Sequence, residues 1–276
     1  MIGSGSLLTN CLKFAVPFIP PGSVQCIETE PAKFSNLQNV CSANDVEYCF
    51  LQSRKELNTF FEDISKGSLV LSIHNNYIFG KAAIENPKLK IVNFHNALLP
   101  KHPGRNAPSW AIYEGDAEAG ISWHEVVPAI DKGNIIFQSS VPVTPVMTGI
   151  SLTRSLVAKG LESFKILLPM LLNNSYRAVE QAGGEYKMHY AHEIPNNGFA
   201  DTGWSATRLS VFMRALDYGA YPVFPKPSIM INDICREIES YRIAGPGETE
   251  TKGEPSPDEF CAADERVSIW LNLKTD

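Results

Sequence analysis

The sequence predicts an α/β protein built on a sheet that is at least partly parallel. Short apolar runs such as Leu69-Val70-Leu71-Ser72-Ile73 and Leu89 to Phe94 are continuous rather than alternating, the texture of strands covered on both faces. Segments with helical apolar spacing separate them, and strand-like and helix-like stretches take turns in the order of βαβ units.

From the amino terminus, Met1 to Ser6 has the form of a strand end entering a glycine-containing turn, with few residues for a strand. Leu7, Leu8, Cys11, Leu12 and Ala15 then fit one helix face. The stretch Leu7 to Pro20 contains Lys13 and follows no basic leader, so it reads as this first helix rather than as a secretion signal. Ser53 and Glu56 make a capping box, Leu57, Phe60, Phe61 and Ile64 a helix face, and Gly67 the expected stop. The strand ending at Ile73 enters the loop His74-Asn75-Asn76-Tyr77 and a second apolar run to Gly80. Pro108 suits the first turn of a short helix ending at Gly115. Ile121 to Val126 and Asn134 to Gln138 read as strands, and about Ser151 to Leu172 as the longest helix. Residues 173–200 are polar. Trp204-Ser205 opens a helix carrying Leu209, Phe212, Met213 and Leu216 and closed by Gly219. Tyr221 to Pro227 must be extended, and Ile229 to Ile234 has strand character.

From Ala244 to Glu265, seven acidic residues, three glycines and three prolines stand against one lysine, the composition of a flexible linker. Val267 to Leu273 has strand character without an assigned partner. The expected organisation is therefore a catalytic domain over 1–172, a small α+β subdomain over 173–243 and an acidic linker over 244–265. Residues 266–276 form a tail of unassigned role.

Composition narrows the function classes. The chain has 276 residues, 44% hydrophobic and 20% charged, with a net charge of -6. Phosphate-backbone binding needs clustered Lys and Arg, so nucleic acid is not the expected partner. No apolar run is long enough to span a membrane. Six cysteines without C-x-x-C spacing argue against a zinc site and fit reduced thiols in the cytoplasm.

The chemistry gathers where strands end. Asn93-Phe94-His95 places a carboxamide and an imidazole two residues apart as an apolar run gives way to Leu98-Leu99-Pro100, and Asp131-Lys132-Gly133 places a carboxylate beside a glycine before Ile135. Ligands in open α/β sheets sit beyond the carboxyl ends of strands, where Asn93, His95 and the loop after Ile73 fall. Taken singly, Asn93 fits an Asx turn, His95 a satisfied half-buried ring and Asp131 a β-turn.

Taken together they belong to a longer series: Asn93, His95, Leu98-Leu99-Pro100, Gly104, Trp110-Ala111, Gly115-Asp116, Gly120 and Asp131-x-Gly133. That order resembles the folate-dependent formyltransferases. Ile2-Gly3-Ser4-Gly5-Ser6, His124, and Arg214 to Gly219 followed by Pro222 and Pro227 resemble a subgroup often placed ahead of adenylating or carrier modules. The resemblance implies a Rossmann-like, mostly parallel twisted sheet with helices on both faces and a small C-terminal subdomain. It implies 10-formyltetrahydrofolate as co-substrate, no metal, and a primary amine as acceptor.

Attack of an amine on a formyl group builds an oxyanion and a cationic nitrogen. The resemblance assigns oxyanion donors to Asn93 and His95 and the base to Asp131, through a water. Donors of this kind are worth about 10²- to 10³-fold each and a positioned base about 10²- to 10⁴-fold. By the same resemblance, backbone groups of Asn75, Tyr77, Pro128 and Ile130 contact the pterin. Ser4, Gly5 and Ser6 offer N–H groups to an anionic substrate, with a tight turn as the plain alternative. His124 is either a pocket residue or a core histidine. His102, His189 and His192 read as surface or structural, and Tyr77 and Phe79 equally as core aromatics.

The expected acceptor is a small metabolite, an amino acid or a carrier-bound aminoacyl group, with a neighbouring biosynthetic module reached through the acidic linker. An amino-sugar nucleotide is the alternative acceptor. Hydrolysis of 10-formyltetrahydrofolate and a non-catalytic folate- or carrier-binding module are the competing functions.

Overall fold

In the computed structural model, residues 1–30, 35–184, 186–221, 223–245 and 258–274 are described. The chain forms two compact units, each discontinuous: 1–104 with 120–141 and 155–188, and 105–119 with 142–154 and 189–276.

The first unit holds a seven-stranded sheet. Its elements begin β1 (Ile2–Gly3), α1 (Gly5–Ala15), β2 (Gln25–Glu28), α2 (Leu37–Ala43), β3 (Glu47–Phe50) and α3 (Arg54–Glu62). They continue with β4 (Ser68–Ile73), α4 (Lys81–Ile84), β5 (Leu89–His95), β6 (Glu118–Glu125), β7 (Ile135–Pro142) and most of α6 (Gly149–Leu172), while the intervening α5 (Ala107–Glu114) belongs to the second unit. The strand order is β3-β2-β1-β4-β5-β6-β7. The five strands from β3 to β5 are parallel, and β6 runs antiparallel to β5. On one face, Phe61 of α3 and Ala83 of α4 pack with Ile2, Val70 and Ile91. On the other, Gly160 of α6 lies close against the Phe94 ring and Leu7 of α1, and Phe14 meets Phe164. The predicted mostly parallel sheet with helices on both faces is what forms.

The short first strand is held from both sides. Gly3 has φ 141°, and a Cβ there would fall 2.8 Å from the Ile73 carbonyl carbon, so only glycine lets β1 approach β4. The Ser53/Glu56 capping box forms as expected. The helix stops at Glu62, two residues short of the expected Ile64, and the Asn86 carboxamide donates to the Phe61 carbonyl in its last turn and to the Ile64 carbonyl just beyond it.

The second unit holds β8 (Phe199–Ala200), α7 (Ala206–Leu216), β9 (Ser228–Ile231), β10 (Ile234–Ala244), β11 (Glu259–Ala263) and β12 (Ser268–Leu273), in the sheet order β11-β12-β10-β9-β8. Leu209, Phe212, Met213 and Leu216 of α7 bury against Ile238, Ile269, Leu271 and Leu273.

Four sequence expectations are corrected or completed here. The single strand over Ile229 to Ile234 is a hairpin: Asn232 and Asp233 take φ 50° and 63°, the paired left-handed geometry of a tight two-residue turn. The acidic stretch 244–265 is not wholly linker. Its residues 246–257 lie outside the described residues, but Glu259–Ala263 form an edge strand whose Phe260 and Ala262 pack on the unit's core. Asp264 accepts the Thr207 N–H at 2.6 Å and so adds to the Ser205 cap at the start of α7. The tail over 266–276 supplies β12, the strand between β10 and β11. The units also do not divide at 172/173. Residues 142–154 join the second unit because Arg214 Nη1 donates to the Met147 carbonyl at 2.8 Å and Ile150 N–H to the Asp217 carbonyl at 3.0 Å.

Candidate active site

The site begins where an apolar row of the sheet turns polar. On the face covered by α3 and α4, Val70 pairs with Ile91; one step on, Ser72 pairs with Asn93 across β4–β5, and Asn93 with His124 across β5–β6. Residues in register on neighbouring strands project to the same side, so Ser72, Asn93 and His124 form one row, and His95 follows Asn93 by the two-residue period. Ser72 Oγ donates to Asn93 Oδ1 at 2.7 Å, and Asn93 Nδ2 lies 3.1 Å from His124 Nε2. His124 Nδ1 faces the Glu125 carbonyl at 2.8 Å and must carry a hydrogen there, which leaves Nε2 as the acceptor in the neutral ring.

Asp131 sits between the two imidazoles. Its Oδ1 is 3.5 Å from His124 Nε2 and its Oδ2 is 3.7 Å from His95 Nδ1, while the Gly104 N–H donates to Oδ2 at 2.8 Å. Burial alone would push the carboxyl up. The neighbouring His95 and His124 rings and the Gly104 N–H outweigh it and hold Asp131 well below the usual carboxylate range. His95 Nε2 meets the His102 carbonyl at 3.0 Å. Both nitrogens of His95 therefore face acceptors, a difference from the free donor expected of it.

The loop carrying Asp131 is fixed by backbone contacts. A Cβ at Gly133 would fall 2.6 Å from the Glu125 carbonyl carbon, so the D-x-G glycine is required for close approach to β6, next to His124. Asp131 itself takes φ 54°. Gln181 Nε2 donates to the carbonyls of Asp131 and Gly133 at 2.7 and 2.9 Å. The segment after His95 is held by Ser122, whose Oγ donates to the Ala97 carbonyl at 2.6 Å and accepts the Leu99 N–H at 3.0 Å. No motif pointed to Ser72, Ser122 or Gln181.

The structure thus brings Asn93, His95, His124 and Asp131 together. Asn75 joins through its side chain, with Nδ2 donating to Ser72 Oγ at 3.3 Å and Oδ1 accepting the Tyr77 N–H at 3.0 Å. The Tyr77 ring stacks on Phe61, and its hydroxyl donates to Asn58 Oδ1 at 2.6 Å, so that side chain belongs to the core. Pro128 and Ile130 are exposed on the loop before Asp131. Ser4, Gly5 and Ser6 start α1, and Ser4 Oγ donates to the His74 carbonyl at 3.1 Å, at the same end of the sheet. His102 and His189 are buried, and the His189 ring stacks on Trp110 at 4.1 Å. Pro222 lies outside the described residues.

Residues 30–166 match the model of the formyl transferase family. Residues 30–166 thus carry a formyl transferase domain. Among curated proteins the chain is similar to the bifunctional polymyxin resistance protein ArnA of Wigglesworthia glossinidia brevipalpis, 26% identical over 65% of the chain and 28% of that protein. It is also similar to GDP-perosamine N-formyltransferase of Brucella melitensis, 27% identical over 56% of the chain and 58% of that enzyme. The matches thus cover less than two thirds of these relatives' own length. Among solved structures, the N-formyltransferase of Helicobacter canadensis, in complex with folinic acid and dTDP-3-aminofucose, has a TM-score of 0.72 at 18% identity over 99% of this chain and 98% of that one. That likeness shows the shared fold. No helix among the described residues is long and apolar enough to cross a membrane.

Proposed function

We propose that the chain transfers a formyl group from 10-formyltetrahydrofolate to a primary amine carried by an amino-sugar nucleotide. The observation that carries this reading is the convergence of a carboxamide, two imidazoles and an ionised carboxylate at the carboxyl end of the parallel strands. That donor set fits acyl transfer between nitrogens. The amine nitrogen attacks the formyl carbon and a C–N bond forms. The amine proton passes to Asp131 through a water, the bond from the formyl carbon to N10 breaks, and the departing nitrogen takes up a proton.

Asn93 Nδ2 uses one hydrogen toward His124, and its second is the first oxyanion donor. His95 supplies the second donor when its Nε2 hydrogen turns from the His102 carbonyl to the oxyanion. His124 shares the proton load of Asp131. The buried Asn96 Oδ1 has no hydrogen-bond partner among the described residues, an acceptor suited to a bound donor such as a pterin N–H. Backbone groups of Asn75, Tyr77, Pro128 and Ile130 line the pterin side, and the α1 start at Ser4, Gly5 and Ser6 faces the anionic part of the acceptor. The sugar-nucleotide acceptor is favoured over a carrier-bound aminoacyl group by the GDP-perosamine N-formyltransferase relative and the dTDP-3-aminofucose complex.

The test is mass spectrometry after mixing the chain with 10-formyltetrahydrofolate and a panel of amino-sugar nucleotides, amino acids and simple amines. Gain of one carbonyl on an amino-sugar nucleotide is expected. Gain only on other amines overturns the acceptor, and formate release with no formylated amine makes the chain a hydrolase.

A further inference from the structure

Ser72 is a hydroxyl in an otherwise apolar strand, Leu69 to Ile73, and only 1% of it is exposed. A buried hydroxyl is costly unless bonded, and an apolar residue here would continue the Val70–Ile91 row without that cost. Its bonds are therefore informative. The single hydroxyl hydrogen goes to Asn93 Oδ1 at 2.7 Å, and the Asn75 Nδ2 hydrogen comes in at 3.3 Å. Asn75 cannot reverse, because its Oδ1 accepts the Tyr77 N–H at 3.0 Å and the Thr29 hydroxyl at 3.3 Å. At the far end, His124 Nε2 is the acceptor because Nδ1–H is held by the Glu125 carbonyl. Every donor and acceptor along Asn75, Ser72, Asn93 and His124 thus points one way. A reversed Asn93 carboxamide would set its oxygen against the His124 lone pair and its NH₂ against the Ser72 hydroxyl.

We infer that Ser72 is a positioning residue for formyl transfer: its hydroxyl fixes which end of the Asn93 carboxamide faces the reacting carbonyl, and Asn75 ties that choice to the loop after β4. This rests on the role proposed for Asn93. In the tetrahedral intermediate, an amide N–H aimed at the oxyanion stabilises, and a carbonyl oxygen in its place repels. The hydroxyl acts before any substrate arrives, so its loss lowers turnover and leaves folate affinity nearly unchanged.

The experiment uses the full chain and its Ser72→Ala, Ser72→Cys and Ser72→Thr variants, alone and with Asn93→Ala. Ser72→Ala is expected to lower kcat by about tenfold to a hundredfold, with the KM for 10-formyltetrahydrofolate within about twofold. Ser72→Cys keeps the side-chain shape but is a weak donor and behaves like Ser72→Ala; Ser72→Thr keeps the hydroxyl and restores most of the rate. With Asn93→Ala present, Ser72→Ala has no further effect, because the hydroxyl acts only through the missing carboxamide. Parent kcat in Ser72→Cys, or an undiminished effect in the Asn93→Ala background, overturns the assignment.

A second readout does not need turnover. The Asn93 side-chain NH₂ signals, identified by their loss in Asn93→Ala, shift and exchange faster with solvent in Ser72→Ala. Unchanged signals overturn the positioning role. If the parent chain formylates no amine while these signals do respond, the proposed activity fails and the positioning stands.

Discussion

Replacing Gly133 with alanine tests the construction of the site through the backbone alone. The substitution adds one methyl group and no charge, and Gly133 does not take a positive φ, so the effect is steric. The new Cβ would sit 2.6 Å from the Glu125 carbonyl carbon and nearer still to its oxygen, whereas real Cβ contacts essentially never fall below 3.0 Å. Relief requires the 131–133 loop and the end of β6 to part. Those two segments carry Asp131 and His124, now 3.5 Å apart, so the strain falls on the reacting groups. Displacement of a catalytic group by about 1 Å costs about 10²-fold in rate, and overpacking of this kind costs about 1–3 kcal/mol of stability. The assay is formyl transfer at saturating co-substrate, with thermal unfolding in parallel. Gly133→Ala is expected to lose about two orders of magnitude in kcat while still unfolding cooperatively. A variant with parent kcat and parent Tm would refute the close-approach argument.

Other expectations follow from the same geometry. Asp131→Asn lowers formyl transfer by about 10²- to 10⁴-fold, measured at constant folate affinity. The folded-state value of Asp131 is depressed, so its contribution to stability is complete above the ordinary carboxylate range and lost as pH falls through the folded value. Acid unfolding of Asp131→Asn is accordingly less steep than that of the parent below about pH 4, and equal slopes would count against the charge arrangement. Gln181→Ala removes two N–H donors from the Asp131 loop, worth about 1 kcal/mol each, and lowers both kcat and Tm; unchanged values in steady-state kinetics and thermal melts would show the clamp to be idle. Asp264→Ala leaves the Ser205 cap of α7 in place but removes the acceptor of the Thr207 N–H, and costs about 0.5 kcal/mol in denaturant melts at neutral pH. Its depressed carboxyl, set chiefly by the Thr207 N–H, makes that difference vanish as acid protonates the parent.

Much of this protein was legible one segment at a time. The Ser53/Glu56 box, the Pro108 start and Gly115 end of α5, and the apolar runs of β4 and β5 are local patterns, because helix capping and strand burial act over a few residues. The hairpin at Asn232-Asp233 carried a local signal too, obscured because Ile231 and Ile234 made one apolar run across it. The strand Glu259–Ala263 was masked by acidic neighbours, since composition over a window hides a two-residue alternation.

The sequence by itself determined the chemistry available: an asparagine and a histidine spaced to share one strand face, and an aspartate beside a glycine that only close backbone contact explains. The tertiary structure alone decided which other groups meet them. Ser72 and Gln181 reach the site through strand register and loop contact, and the distance along the chain from Ser72 to Asn93, or from Gln181 to Asp131, carries no trace of either. Register is set by packing across the whole sheet, so a row of side chains from three strands exists only once the sheet has formed.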